Sequence, residues 1–253
     1  MLRTLLLVLV GFTILSFNVQ KDQRVLVFSK TGGFRHKSIP VGKMALMEMG
    51  AKNNFAVDTT EDASVFTPAN LKKYDAVVFL STTGNDILNA EQKQAFQQYI
   101  KAGGGFVGIH AASDTEYNWE WYGKMVGGYF LSHPKNQTAK IQVLDRQHIS
   151  TKHLPEVWER HDEWYNYKNL NPQVKVLMNL DEKSYQGGKN GDHHPIAWYH
   201  AYDGGRAWYT GLGHTDESDK EPEFLQHVLG GIQYVMGATP NVPEAKTKAK
   251  IRQ

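Results

Sequence analysis

Three histidines of this sequence follow short apolar runs, where an imidazole group is well placed to do chemistry. His36 comes after RVLVFSKTGGFR, His110 after GGGFVGI, and His214 after AWYTGLG. A histidine can accept or donate a proton near neutral pH, and it can also bind a metal ion. Asp114 adds a carboxylate four residues after His110. We hypothesise that at least one of these histidines acts as an acid, a base or a ligand, with His110, His214 and Asp114 as catalytic candidates.

The elements that must position these residues are predicted from the pattern of apolar residues. The runs RVLVFS, DAVVFLS and GFVGIH are continuous rather than alternating, which is typical of parallel strands buried on both faces. This pattern favours an α/β fold with a mostly parallel sheet covered by helices. Strands are predicted at 24–29, 55–62, 75–81 and 105–110, and helices at 41–52, 68–74 and 90–103.

The second half of the chain is predicted to be richer in strands. An aromatic helix is expected at 119–130, and the last predicted element is an amphipathic helix at 221–237. Because no repeat or long linker interrupts the chain, one domain is predicted at 24–237, followed by a polar tail at 238–253. Further strands are predicted at 138–144, 174–180, 194–202 and 207–214, with a hairpin turn at 203–206.

Substrate contacts are expected at the carboxyl ends of the parallel strands. Loops and helix N-termini converge on one crevice there in an open sheet. Arg35 and His36 follow the first strand, and Ser81 and Thr82 follow the DAVVFL run. We therefore predict that these four residues bind the substrate.

A second group of titratable residues lies in VWERHDEWYNY (157–167). If this stretch is extended, His161, Glu163 and Tyr165 share one face. A histidine and a glutamate on one face can bind a metal ion together or act as an acid–base pair, so Glu163 is a further catalytic candidate. A solvated, charged strand is the alternative that the sequence leaves open.

A metal site is one hypothesis for these groups. Zn²⁺ or a similar divalent ion accepts imidazole and carboxylate ligands, and the carboxylate would come from Glu163 or Asp114. No tight spacing such as HExxH marks the ligands. The candidate histidine ligands are His110, His133, His161 and His214.

Composition and charge exclude several classes of protein. The chain has no Cys, which excludes disulfides, thiolate metal sites and a Cys nucleophile. Its net charge is +2 with acids and bases interspersed, so no nucleic-acid surface is expected. Residues 1–20 have one early positive charge and an apolar stretch too short for a comfortable membrane span. They predict a signal peptide or an N-terminal anchor, and hence an exported protein that is periplasmic or anchored facing the periplasm.

Several motifs, taken in order, resemble those of the trehalose-utilisation (ThuA-like) family. They are TGGFRH, VVFLS, GGGFVGIHAASDT, the WEWY…GGYFLSHP block, HDEWY and IAWYH…GGRAWYTGLGH, and they cover residues 24–237. The resemblance implies the fold of the class I glutamine amidotransferases. That fold is a flavodoxin-like three-layer α/β/α sandwich with a mostly parallel central sheet, elaborated here by a β-rich second half.

The resemblance also gives His110 an interpretation. The glutamine amidotransferases carry a catalytic Cys at the turn after the corresponding strand, and here that position holds His110. An imidazole cannot simply replace a thiolate in acyl transfer, so no glutaminase activity is expected. We interpret the turn as a rebuilt site for proton transfer, ligand binding or metal ligation.

Kinship with this family implies sugar metabolism through 3-keto intermediates, in functional partnership with sugar dehydrogenases. The expected protein is an enzyme that isomerises, epimerises, eliminates from or cleaves a keto-sugar or glycoside, alone or as a homo-oligomer. Because a carbon next to a ketone is acidic, a histidine or a carboxylate can deprotonate it. A non-catalytic carbohydrate-binding protein is the alternative. The aromatic residues expected to contact the sugar are Trp121, Tyr122, Trp164 and Tyr165.

Overall fold

The computed structural model describes residues 23–237 of the chain. The predicted signal peptide or anchor (1–20) and the predicted polar tail (238–253) lie outside the described residues. Within the described part, no helix combines the length and the apolar character needed to cross a membrane.

Strands of the described chain assemble mainly into one large sheet. The first half contributes β1 (Gln23–Phe28), β2 (Phe55–Thr60), β3 (Ala76–Leu80) and β4 (Gly105–Ile109). The second half contributes β5 (Tyr129–Ser132), β6 (Gln137–Val143), β7 (Val157–Asp162), β8 (Asn166–Lys168), β9 (Lys175–Leu180), β10 (Pro195–Tyr202) and β11 (Gly205–Thr210). Nine of them form the sheet in the order β2-β1-β3-β4-β11-β10-β9-β6-β7, while β5 and β8 pair separately.

The direction of the strands decides which ends share an edge. Strands β2, β1, β3, β4 and β11 are parallel. The next four pairings, from β11 through β10, β9 and β6 to β7, are all antiparallel. After these four reversals β7 runs in the same direction as β4. The carboxyl ends of β1, β3, β4, β11 and β7 therefore all lie on one edge of the sheet.

Helices cover both faces of the sheet. They are α1 (Ile39–Lys52), α2 (Pro68–Leu71), α3 (Ala90–Lys101), α4 (Glu120–Val126) and α5 (Pro222–Val235). Phe106 of β4 packs on Phe96 of α3, whereas Trp208 of β11, which is in register with Val107, packs on His227 of α5. Because neighbouring residues of a strand face opposite sides, α3 and α5 lie on opposite faces. The predicted three-layer α/β/α fold is confirmed.

Local sequence signals explain where several of these elements begin and end. The side chain of Asn89 accepts a hydrogen bond from the backbone N–H of Gln92 in a capping box, and the side chain of Thr67 caps α2. The predicted helix at 119–130 is too long. Gly127 has a φ of 91°, which ends α4 at Val126 and lets the following residues pair with β8 instead.

Asp219 is a buried carboxyl group that packs against α1. A Cβ atom on Gly42 would lie 3.0 Å from its Oδ2 atom. Burial, followed by repulsion from Asp162 and Asp216, raises the pKa of Asp219 to about 7 although Arg160 opposes the shift. Its protonated form is therefore the one that the folded chain favours.

This raised pKa predicts a stability that falls with pH. Between about pH 4 and about pH 7 the unfolded chain has released the Asp219 proton while the folded chain keeps it, so raising the pH favours unfolding. We expect Asp219→Asn to match the parent near pH 4 and to exceed it by up to about 4 kcal/mol at pH 8. Urea denaturation at both pH values measures this, with Glu217→Gln, an exposed neighbour, as the control. An advantage that is equal at both pH values would contradict the assignment.

Candidate functional site

Four titratable side chains meet at the carboxyl edge of the sheet. We call His36, His110, Glu163 and His214 the His–Glu cluster. One ligand-type atom of each lies within 4.8 Å of those of the others. The four residues follow four different strands, β1, β4, β7 and β11. The fold therefore gathers groups that are far apart in sequence.

Glu163 reaches the cluster because the sheet bends back on itself. Strands β4 and β7 are five steps apart in the sheet order, which would separate them by about 24 Å in a flat sheet. Yet Glu163, the residue after β7, places its Oε2 atom 3.4 Å from His110 Nε2. Arg160 of β7 likewise contacts Glu221 at the start of α5, with an Nη2–Oε2 distance of 2.7 Å. The antiparallel half of the sheet thus closes over the parallel half.

His110 occupies a sharp turn between β4 and a short 3-10 helix. Its φ is 51°, in the left-handed region that residues other than glycine rarely adopt. The Tyr209 hydroxyl donates to the His110 carbonyl oxygen at 2.8 Å, which helps to hold the turn. This conformation aims the imidazole inward across the strand ends rather than along the strand.

Hydrogen bonds fix the tautomer of the His110 ring. Its Nδ1 atom lies 2.9 Å from the carbonyl oxygen of Gly211. Because a carbonyl can only accept, Nδ1 carries a proton, and Nε2 faces the cluster. Nε2 lies 3.1 Å from His214 Nδ1. The Tyr165 ring stacks at 4.4 Å and keeps the imidazole in place.

Glu163 is a buried carboxylate surrounded by imidazoles. Its Oε2 atom lies 3.2 Å from His214 Nδ1, and its Oε1 atom lies 3.0 Å from His133 Nδ1. Burial raises its pKa, but hydrogen bonds from His110 and His214 and their charges outweigh burial and hold the pKa of Glu163 well below its usual range. The group is therefore ionised at neutral pH.

His36 completes the cluster from the loop after β1. Burial, followed by repulsion from His110 and His214, lowers its pKa to about 3, so the ring is neutral. Its buried Nδ1 atom has no hydrogen-bond partner within the described chain. Thr83 holds the loop by donating its hydroxyl to the carbonyl oxygen of Phe34 at 2.8 Å.

Asp162 joins the two chain segments that carry Glu163 and His214. Its fully buried carboxylate accepts hydrogen bonds from the backbone N–H groups of Gly213 at 3.0 Å and His214 at 3.2 Å. Arg160 pairs with the same carboxylate at 3.1 Å. One buried ion pair thus fixes the position of the cluster relative to the bent sheet.

A cleft of about 330 Å³ opens above the cluster, and Asp114 lies in its wall. Its carboxylate accepts a hydrogen bond from the Tyr117 hydroxyl. Burial raises the pKa of Asp114, although Tyr117 and the charges of His110, Lys168 and His133 oppose the shift. The cleft is lined by Phe34, His36, Asp114, Phe130, His133, Glu163, Tyr165 and His214.

The structure brings together most of the sequence-predicted titratable residues. His110, His214, Glu163, Asp114 and His36 all lie at the cleft or directly beneath it. Beside them, Tyr165 lines the cleft, and His133 contacts the cluster only through Glu163. What these residues do stays a prediction.

Other predicted residues lie away from the cleft. Arg35 is half-exposed and pairs with Glu61 at 2.9 Å. Ser81 is buried beneath the strand ends, and the Thr82 hydroxyl is buried against that of Thr115 at 2.9 Å. None of the three lines the cleft, and their contact with a substrate stays a prediction.

The predicted aromatic contacts also differ from the structure. Trp164 is fully buried and donates its indole N–H to the Gln137 carbonyl oxygen, and Tyr122 is buried in the core. Trp121 packs on Phe96 of α3, on the face of the sheet. These rings fill the interior or a helical layer, so they are not available to stack on a sugar in the cleft.

The expected shared face of His161, Glu163 and Tyr165 does not form. Strand β7 ends at Asp162, which breaks the alternation. His161 is exposed, whereas Glu163 and Tyr165 turn into the cleft and are buried. His161 is therefore outside the cluster. The residues that sequence reasoning missed are Asp162, whose backbone contacts leave no sequence signal, and His36 as a candidate metal ligand.

A match to a family model shows which protein family the chain belongs to. A family model described as ThuA, trehalose utilisation, matches residues 24–235. The chain belongs to the ThuA family. Membership of the ThuA family, as the resemblance predicts, supports a role in carbohydrate metabolism. A comparison with curated proteins gives no significant match.

Solved structures agree with the ThuA assignment. A ThuA-like protein from Bacteroides uniformis is 26% identical with a TM-score of 0.72, covering 89% of this chain and 95% of the other. Another from Parabacteroides merdae is 20% identical with a TM-score of 0.72, covering 88% and 94%. A Thermoplasma acidophilum protein described as part of a GMP synthase is 11% identical with a TM-score of 0.55, covering 87% and 96%. The last likeness extends to the fold alone and confirms the amidotransferase-like architecture.

The contacts of Asp162 generate a prediction. In Asp162→Asn the side chain loses its charge and places an amide N–H₂ group against backbone N–H donors and Arg160. We expect a loss of about 3 kcal/mol in the free energy of unfolding, because the buried Arg160 loses one of its two carboxylate partners and two backbone N–H groups lose a charged acceptor. Urea denaturation measures this. Asp192→Asn is the control, since its pair with Lys183 is exposed and should change stability by less than about 1 kcal/mol. Equal effects of the two changes would refute the role of Asp162.

Proposed function

We propose that this protein is an enzyme of carbohydrate metabolism that transfers protons on a keto-sugar. One observation carries the proposal: Asp114 lines the same cleft as His36, Glu163 and His214 of the His–Glu cluster. Proton transfer next to a ketone needs a base at the carbon and a positive or hydrogen-bonding group at the oxygen. The cleft offers both kinds of group on different walls.

The proposed step divides the work between the two sides of the cleft. Asp114 takes the proton from the carbon next to the ketone. The electrons of the broken C–H bond form a C=C bond, and the carbonyl oxygen takes up negative charge at the His–Glu cluster. Return of the proton gives an isomer or epimer, while loss of a substituent on the next carbon gives elimination. Burial suits Asp114 to this role because it raises the pKa of the carboxyl group and makes it a stronger base.

The size and lining of the cleft support a sugar as the ligand. Its volume of about 330 Å³ lies at the lower end of the range for small-molecule sites. The rings of Phe34, Phe130 and Tyr165 line it, and aromatic rings can cover the apolar C–H face of a sugar. Phe34 is 66% exposed, which leaves its ring accessible to a ligand. These features favour a monosaccharide unit over a large polymer.

The proposal includes a location and a functional partner. A keto-sugar arises by oxidation of a sugar hydroxyl, so a sugar dehydrogenase must supply the substrate. The apolar segment at 1–20 supports export to the periplasm or an anchor facing it. Glutaminase activity is not expected, because the chain has no Cys to act as the nucleophile.

Deuterium exchange tests the proposed proton transfer directly. A 3-keto-glucoside is incubated with the protein in D₂O, and NMR follows deuterium uptake at the carbons next to the ketone. We expect exchange well above the rate without protein, and a loss of roughly 100-fold or more in Asp114→Asn. Asp192→Asn, which changes an exposed carboxyl group to the same amide, should behave like the parent.

Two results would contradict the proposal. Exchange at the parental rate in Asp114→Asn would remove Asp114 from the reaction. Binding of keto-glucosides and related sugars with no exchange in the parent protein would instead favour a carbohydrate-binding protein without catalysis.

A further inference from the structure

Three atoms of the His–Glu cluster form a nearly equilateral triangle. His110 Nε2 and His214 Nδ1 are 3.1 Å apart. Glu163 Oε2 lies 3.2 Å from His214 Nδ1 and 3.4 Å from His110 Nε2. Ligand atoms around one divalent transition metal, at bonds of about 2.0 to 2.2 Å, are separated by about 3 to 3.5 Å. The triangle therefore has the dimensions of one face of a metal coordination shell.

The polar contacts of the cluster suit a cation. His110 donates its Nδ1 proton to a backbone carbonyl, as histidines that bind metals through the other nitrogen usually do. The facing Nε2 atom lies 3.4 Å from the Oε2 atom of the Glu163 carboxylate, which carries negative charge. Within the described chain, the ion-pair partners of Glu163 are all histidines. A metal ion at the centre of the triangle would satisfy the three atoms together.

His36 supplies a fourth ligand on the cleft side. One of its ring nitrogens lies within 4.8 Å of the ligand atoms of the other three residues. The ring is buried, and its Nδ1 atom lacks a hydrogen-bond partner within residues 23–237. A buried imidazole nitrogen without a partner is available to a ligand.

Contacts around the cluster hold the ligands in place. The Nδ1 atom of His133, which is within hydrogen-bond distance of the Pro134 carbonyl oxygen, also lies 3.0 Å from the second oxygen of Glu163. Asp162 fixes the backbone of His214, and Gly211 fixes the ring of His110. Outer contacts of this kind are typical of metal sites and tune their affinity.

We propose that His36, His110, Glu163 and His214 bind one divalent transition-metal ion at the floor of the cleft. Three imidazoles and one carboxylate suit Zn²⁺, Mn²⁺, Fe²⁺, Co²⁺ or Ni²⁺, whereas Mg²⁺ and Ca²⁺ prefer oxygen ligands. The inference rests on the proposed function for its chemical purpose: a bound ion supplies a Lewis acid for the ketone oxygen. Asp114 keeps its role at the carbon.

Calorimetric titration with Zn²⁺ tests the site without any sugar. The full chain is stripped with a chelator, dialysed and titrated with ZnCl₂ at neutral pH. We expect close to one ion per chain, and binding weaker by roughly 100-fold or more in His110→Ala and in Glu163→Gln. His133→Ala should weaken it by about 10- to 100-fold. His161→Ala is the matched control, because it removes an exposed histidine of β7 outside the cluster.

Folding of each variant is checked by its circular dichroism, and the near-isosteric Glu163→Gln keeps the test open if His110→Ala does not fold. The inference is overturned if the parent binds none of Zn²⁺, Mn²⁺, Co²⁺ and Ni²⁺, or if Glu163→Gln binds Zn²⁺ as the parent does.

The metal inference and the proposed function can fail separately. Zinc binding that depends on the cluster, without deuterium exchange of any keto-glucoside, would leave the metal site standing and remove the proposed reaction. Full deuterium exchange by the chelator-stripped protein, together with no metal binding in the calorimeter, would keep the reaction and overturn the metal inference.

Discussion

The buried ion pair of Arg160 with Asp162 is the interaction on which the site depends. Asp162 sits at the end of β7 and accepts hydrogen bonds from the backbone of Gly213 and His214. This carboxylate joins an edge strand of the sheet to the loop after a central strand. Glu163 comes directly after Asp162, so the contact that closes the bent sheet also delivers the carboxylate to the imidazoles. Asp162, which holds the fold together at this point, and Glu163, which belongs to the His–Glu cluster, are therefore adjacent in the chain.

The turn at His110 shows how a shared fold can carry different chemistry. The left-handed backbone of His110 presents a side chain at the strand end, as the amidotransferase-like fold predicts. Because that side chain is an imidazole anchored to the Gly211 carbonyl, its free nitrogen points at two other polar groups rather than at an acyl carbon. The interpretation of the turn as a rebuilt site stays a prediction.

Sequence reasoning predicts the fold well because continuous apolar strands and capped helices are local signals. It also brings His36, His110 and His214 together, since parallel strands end at one edge. The position of Glu163 depends on a bend across five strand pairings, which no local pattern encodes. Likewise, the aromatic content of the sequence does not show which rings face the core. Trp164, which the sequence analysis expects to contact the sugar, is fully buried. The sequence therefore predicts the strand ends, and the long-range packing selects the residues that meet.

A crystal structure of the full chain grown with Zn²⁺, with anomalous data collected on both sides of the zinc absorption edge, tests the central claim most directly. The account predicts one strong anomalous peak within about 2.0 to 2.2 Å of His110 Nε2, His214 Nδ1 and Glu163 Oε2. A well-ordered cluster with no peak, or a peak held only by exposed residues such as His161, would contradict it. The same map would show whether Asp162 still bonds to the backbone of His214.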